Sequence, residues 1–351
     1  MSQPPLSSGR KALYSIITLV FVLAIILLVG EAAMRLFSKK NQINPPYDTA
    51  LDDDYFGWKM KPGYAWSGEM RDANKQPYNI SIRYDENGFK AFGDTASARP
   101  KVLFLGDSYT ASIEASNENT FYNLLADSLG FEAFAYGHAG YSTLQEYMVL
   151  DKWVDRIQPD VVVWETCSND FIDNYAPLEI VCGYKVGQRR PYLDMDGGVF
   201  YQLPKSWWQR LKFTTWLKGR WDGVKQNLFK QEKRVGEYYI ATDKRSYPPY
   251  DEAVRRTEKI VTMIRERLPE NTKLVAFSAD IYEPQMGEMK RIFEANGATF
   301  LEEPARQLEV TQLEQKIALK AIDNCHWNES GQAVIAAGLL PHLKEILKLG
   351  N

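Results

Sequence analysis

The chain has 351 residues, enough for one large α/β domain with elaborations or for two small domains. It is 45% hydrophobic and 25% charged, the composition of a folded globular protein, and its net charge of −3 offers no basic face to nucleic acid. Three cysteines (Cys167, Cys182, Cys325) are too few and too scattered for a disulfide scaffold or a zinc site, and three histidines (His138, His326, His342) shorten the search for a general base.

Residues 12–30 carry no charge and no proline, and a helix of that length nearly matches the roughly 30 Å of bilayer hydrocarbon. A cleaved signal peptide is the rival reading. The run is long for one, and Glu31 spoils the small-residue cleavage pattern. Residues 1–40 are therefore expected to be an uncleaved single-pass anchor with its flanks. Arg10 and Lys11 precede the run and Arg35, Lys39 and Lys40 follow it, so the positive-inside rule leaves the orientation open. No later stretch is apolar enough to span, which puts the rest of the chain on one side of the membrane, extracytoplasmic in the expected arrangement. Residues 41–78 read as a juxtamembrane linker followed by an irregular aromatic segment around Tyr55–Gly63. Tyr78–Tyr84 alternates as a strand, and Asp85–Phe89 is a turn.

From Lys101 the pattern becomes strand, helix, strand, helix. Lys101–Gly106 is a strand with both faces apolar, Phe121–Leu129 a helix stopped by Gly130, Phe131–Tyr136 a strand, Thr143–Ile157 a helix, and Val161–Thr166 a third strand. After an interruption the core resumes with a helix at Ala253–Leu268, a strand at Lys273–Ser278, a helix at Gln285–Ala295, a short strand at Thr299–Leu301 and a last helix at Glu329–Leu349. This alternation argues for a parallel sheet with helices on both faces. The interruption, about 171–251, is dense in aromatic and basic residues, among them Arg189, Arg190, Tyr192, Trp207, Trp208, Arg210 and Trp216. A hairpin turning at Asp196-Gly197-Gly198 and one or two helices over 206–230 are expected there. A packed lid, a substrate-gripping cap and a helix in the membrane interface all fit its composition.

Ser108 follows Gly106-Asp107 at the carboxyl end of a buried strand, where open α/β sheets bind ligands and a helix N-terminus favours developing negative charge. Gly-Asp-Ser alone is common, and a helix-capping serine fits it equally well. A nucleophilic serine needs a base whose tautomer is fixed by a partner. His326 is the natural choice, with Asp323 three residues earlier in the same loop. His342 sits in the last helix and reads as packing. His138 ends the second strand near the site, without a carboxylate at suitable spacing. An acyl-transfer site also needs donors for an oxyanion. Gly140 offers a backbone N–H free of side-chain obstruction, and Asn169 an amide NH₂ at the end of the third strand.

Gly106-Asp107-Ser108, Gly140, Asn169-Asp170 and Asp323-x-x-His326 stand in the order of the blocks of the SGNH/GDSL hydrolases, and the chain resembles that family over about Ile80–Leu349. Asp85–Phe89 further resembles its membrane-anchored bacterial members. The resemblance implies a three-layer α/β/α, flavodoxin-like fold over 79–350 and ester hydrolysis with no metal or other cofactor. It also implies Ser108 as nucleophile, His326 as base and Asp323 as its orienter. The oxyanion hole becomes the Ser108 N–H, the Gly140 N–H and the Asn169 side chain, with Asp107 and Asp170 in support. Two positions depart from the family pattern: His138 stands where Asn is usual, and Cys167 where Gly is usual. Cys167, narrowing the pocket or tilting Asn169, would share a rim with Cys325, within reach of a disulfide. The expected activity is a membrane-anchored serine esterase acting on an acyl ester of an envelope or extracellular carbohydrate or lipid. Acyl transfer to a polysaccharide, or a catalytically silent binding protein, are the alternatives.

Overall fold

The computed structural model describes residues 8–37, 46–47, 49–183, 189–202 and 235–348, with scattered positions between 211 and 221. It divides into two compact units, Met1–Asn44 with Leu203–Glu232, and Pro45–Gln202 with Lys233–Asn351. In the first unit the helix Ser8–Phe37 contains a stretch, Gly9–Leu36, long and apolar enough to cross a membrane, with an 18-residue window of mean hydropathy 3.0. Near its end Glu31 pairs with Arg35 at 2.7 Å and accepts the backbone N–H of Phe213 at 2.9 Å. Most of the helical region expected at 206–230, with Trp207, Trp208 and Arg210, lies outside the described residues.

The second unit opens with two antiparallel hairpins, β1 (Ala50–Asp53) with β2 (Gly57–Met60), and β3 (Ala65–Arg71) with β4 (Pro77–Arg83). The sequence suggested a linker and an irregular segment here. The structure corrects this, because Trp58 and Met60 alternate inward along β2 and are fully buried. Asp53 and Asp72 fix the two hairpin turns, and Asp85 the turn after β4, each by accepting backbone N–H groups through its side chain.

Six strands form the main sheet: β5 (Ala91–Phe92), β6 (Lys101–Gly106), β7 (Glu132–Gly137), β8 (Val161–Thr166), and, beyond the small hairpin of β9 (Pro191–Leu193) and β10 (Val199–Tyr201), β11 (Lys273–Ser278) and β12 (Thr299–Leu301). Their spatial order is β12-β11-β8-β6-β7-β5, all parallel except the short edge strand β5. Counting only the parallel strands, that is the doubly wound order of flavodoxin-like folds, and the connections switch direction between β6 and β8. Successive residues of a strand face opposite layers. Leu103, Leu105, Val162 and Trp164 therefore join one core, with the helices Thr143–Ile157, Pro248–Arg267 and Gln285–Ala295. Val102, Phe104, Val161 and Val163 join the other, with Phe121–Leu129, Glu303–Gln315 and Glu329–Ile346. Each core strand must be apolar on both faces, which is why the runs read as continuous rather than alternating.

Candidate active site

The switch between β6 and β8 places the turns after both strands on one rim, and the site is built from them. After Gly106 the chain turns sharply into a one-turn helix, Ser108–Ala111. Asp107 caps it, its carboxylate accepting the Tyr109 N–H at 3.1 Å. A Cβ on Gly106 would meet Glu165 and Thr110, and one on Gly137 would meet the Asp107 carbonyl at 2.5 Å, so both glycines let this turn nestle between β7 and β8.

Ser108 Oγ lies 2.8 Å from His326 Nε2, and His326 Nδ1 lies 2.5 Å from Asp323 Oδ2. The other Asp323 oxygen accepts the backbone N–H groups of Cys325 and His326, so the carboxylate sets both the loop and the ring. Buried Trp327 holds that loop down, packing on Tyr109 with ring centroids 4.6 Å apart, and Tyr109 in turn touches the His326 ring. Burial works against a charged imidazole. The Asp323 hydrogen bond and the charges of Glu114 and Asp323 outweigh it and raise His326 to about 10. The unperturbed value near 6.5 expected of a lone histidine does not apply. Asp323, although half-buried, is held below its usual range by the same ring.

Gly140 and Asn169 line the same cleft, of about 770 Å³, together with Tyr238, Asp280, Tyr282 and Glu283. The Asn169 amide nitrogen donates to Asp173 at 2.9 Å and reaches Asp107 at 3.5 Å. Cys167 does bear on Asn169: its thiol contacts the amide oxygen and lies 3.3 Å from Asp107. Cys167 and Cys325 do not pair. All three thiols are free, with Cys167 buried and Cys325 exposed against the Tyr109 hydroxyl. Asp170 lies behind the cleft and accepts the Cys167 N–H at 2.9 Å, which closes the turn after β8. His138 is buried on the Tyr141 ring instead of facing the cleft, and burial pushes it down to about 4. His342 is half-buried on the last helix.

Three groups were not singled out by sequence reasoning. Arg190 is fully buried and donates to the Gly140 carbonyl at 2.6 Å and to Asp173 at 3.2 Å. It thus ties together the two stretches that carry Gly140 and Asn169. Glu165, beneath the nucleophile turn, accepts the Asp107 N–H at 3.1 Å and the Thr110 hydroxyl at 3.2 Å. Burial and the neighbouring Asp107 and Asp170 carboxyls raise it well above the usual range. Glu114 approaches His326 Nδ1 to 3.8 Å from the side opposite the serine. The only signal for these was a polar residue inside an apolar run, as Glu165 is in β8. For the other two the contact is made across the fold. Asp107, Glu165 and Cys167 bring ligand-type atoms within 4.8 Å of one another, yet each is already engaged in the hydrogen bonds of the turn.

No protein-family model and no curated protein sequence matches the chain. Among solved structures it is similar to a catalytic mutant of an acetylxylan esterase from Geobacillus stearothermophilus, with 14% identity over 71% of this chain and 94% of that one and a TM-score of 0.37. It is similar also to a Clostridium thermocellum family 3 carbohydrate esterase, with 15% identity over 71% and 97% and a TM-score of 0.36. A third is TesA, with 13% identity over 70% and 99% and a TM-score of 0.39. Agreement this loose leaves the architecture resting on strand order and register, and activity on the geometry of the site.

Proposed function

We propose that the chain is a serine esterase of the SGNH/GDSL type, held to a membrane by its N-terminal helix. The observation that carries this reading is the unbroken line from Ser108 Oγ through the His326 ring to Asp323, with contacts of 2.8 and 2.5 Å. In the first half-reaction Ser108 Oγ attacks the ester carbonyl carbon while His326 Nε2 takes the hydroxyl proton. The carbonyl oxygen becomes an oxyanion facing the Ser108 and Gly140 N–H groups and the Asn169 amide, which exchanges its long contact to Asp107 for the new charge. Collapse expels the alcohol, which leaves with the proton held on His326. Water, deprotonated by the same ring, then attacks the acyl-serine; the ring returns that proton to Ser108 Oγ as the acyl–oxygen bond breaks, and the carboxylic acid leaves.

The tyrosine, carboxylate and amide groups lining the cleft suit the hydroxyls of a carbohydrate ester, with a lipid ester as the other candidate and the catalytic unit outside the cytoplasm. The test is hydrolysis of short p-nitrophenyl esters. Ser108→Ala is expected to abolish it with an unchanged circular dichroism spectrum, and an equally active variant would refute the assignment.

A further inference from the structure

The loop that follows the nucleophile turn, residues 112–116, carries a carboxylate that the reaction above does not use. Lys90 straps this loop through the carbonyls of Ser112 and Ala115, Tyr84 through the carbonyl of Ala111, and Tyr78 through the carbonyl of Glu114 itself. None of these bonds needs a carboxylate at residue 114. Its side chain is nonetheless only 4% exposed, and a buried carboxylate is costly unless a partner compensates it. The Lys90 ammonium is committed to backbone carbonyls. Among the described residues the one ion-pair partner of Glu114 is His326, at 3.8 Å from Nδ1.

We propose that Glu114 is a positioning residue of this site, a second carboxylate that steadies the imidazolium each time His326 holds a proton from Ser108 or from water. Asp323 is 38% exposed and so is screened by solvent, whereas Glu114 acts from the interior across an unscreened gap. The groups facing Glu114 are Tyr47, whose hydroxyl bonds the carboxyl, Tyr78, Tyr84, Lys90, Asp323 and His326, with Glu118 and Glu329 around Lys90. Burial, helped by Asp323, holds Glu114 above the usual carboxylate range; His326 and Lys90 oppose this without reversing it, so a positive ring favours its ionised form. The balance is a proton moved onto His326 and an electrostatic response at Glu114, with no other species consumed.

This proposal rests on His326 being the base, and the measurement is chosen to read the ring without substrate. In the full-length chain in detergent, labelled selectively at its three histidines, NMR follows the His326 titration. Removing a negative neighbour disfavours the charged form, so Glu114→Gln is expected to lower the His326 midpoint by about one pH unit. The acid limb of kcat/KM should move to lower pH by the same amount, with kcat on the alkaline plateau reduced and KM held. Glu114→Asp, which draws the carboxylate back by one methylene, should give an intermediate midpoint. It carries the test alone if the Gln variant does not fold. An unmoved His326 midpoint in a folded variant overturns the proposal. A wild-type chain that hydrolyses no ester sinks the esterase reading instead, and leaves the titration result standing.

Discussion

In the proposed mechanism His326 is the base for Ser108, and it sits between two carboxylates, Asp323 and Glu114. A histidine taken from sequence alone has a midpoint near 6.5, and on that basis activity would fall as pH drops through that value. The carboxylates of Asp323 and Glu114 change the expectation, because they stabilise the protonated ring and raise it to about 10. A base works only when deprotonated, so the sign is fixed: kcat/KM should climb with pH above 6.5 and keep climbing into the alkaline range. A pH-rate profile with short esters checks this, and a plateau already complete at pH 7 would contradict it. At this scale the sequence was informative where chemistry is local. Asp323 and His326 share one turn, and their pairing follows from a spacing of three. Glu114 was illegible because its neighbour lies 212 residues away, across the fold.

The strands and helices of the parallel sheet were legible for a physical reason. Lys101–Gly106, Val161–Thr166 and Lys273–Ser278 are buried on both faces, and continuous apolar runs between helical periodicities permit few other readings. The hairpins before the sheet were less so. β1 and β3 are half-exposed and mix charged with apolar residues, so only pairing with β2 and β4 defines them. The insertion shows the same limit from the other side. Its Arg190 stood only as one of many aromatic and basic residues there, yet it is buried against the Trp58 ring and bonds both Gly140 and Asp173. The hairpin of the insertion is thereby tied to the rim that carries Gly140 and Asn169, the proposed oxyanion donors. Arg190→Lys keeps one charge but loses the planar fork that holds two partners at once. It is expected to lower kcat on the order of tenfold with KM little changed. Asn169→Ala, removing a donor outright, should cost about 10²–10³ in kcat. Steady-state kinetics on both variants checks the order, and an Asn169→Ala enzyme of wild-type kcat would remove that residue from the oxyanion hole.

For the whole molecule, an apolar N-terminal helix accompanies a site whose Ser108 and His326 stand 218 residues apart in the chain. In the proposed reading the unit that carries the cleft lies outside the cytoplasm. Everything in this picture depends on one activated hydroxyl, and a fluorophosphonate probe reads that group directly. A cell-impermeant form should label intact and lysed cells alike if the unit faces outward. On the purified full-length chain, mass spectrometry should place a single phosphonyl adduct on Ser108, and His326→Ala, still folded, should lose it. A folded wild-type chain that takes no adduct at Ser108, or a His326→Ala chain labelled as fast as wild type, would contradict the claim that this serine is a nucleophile driven by that histidine.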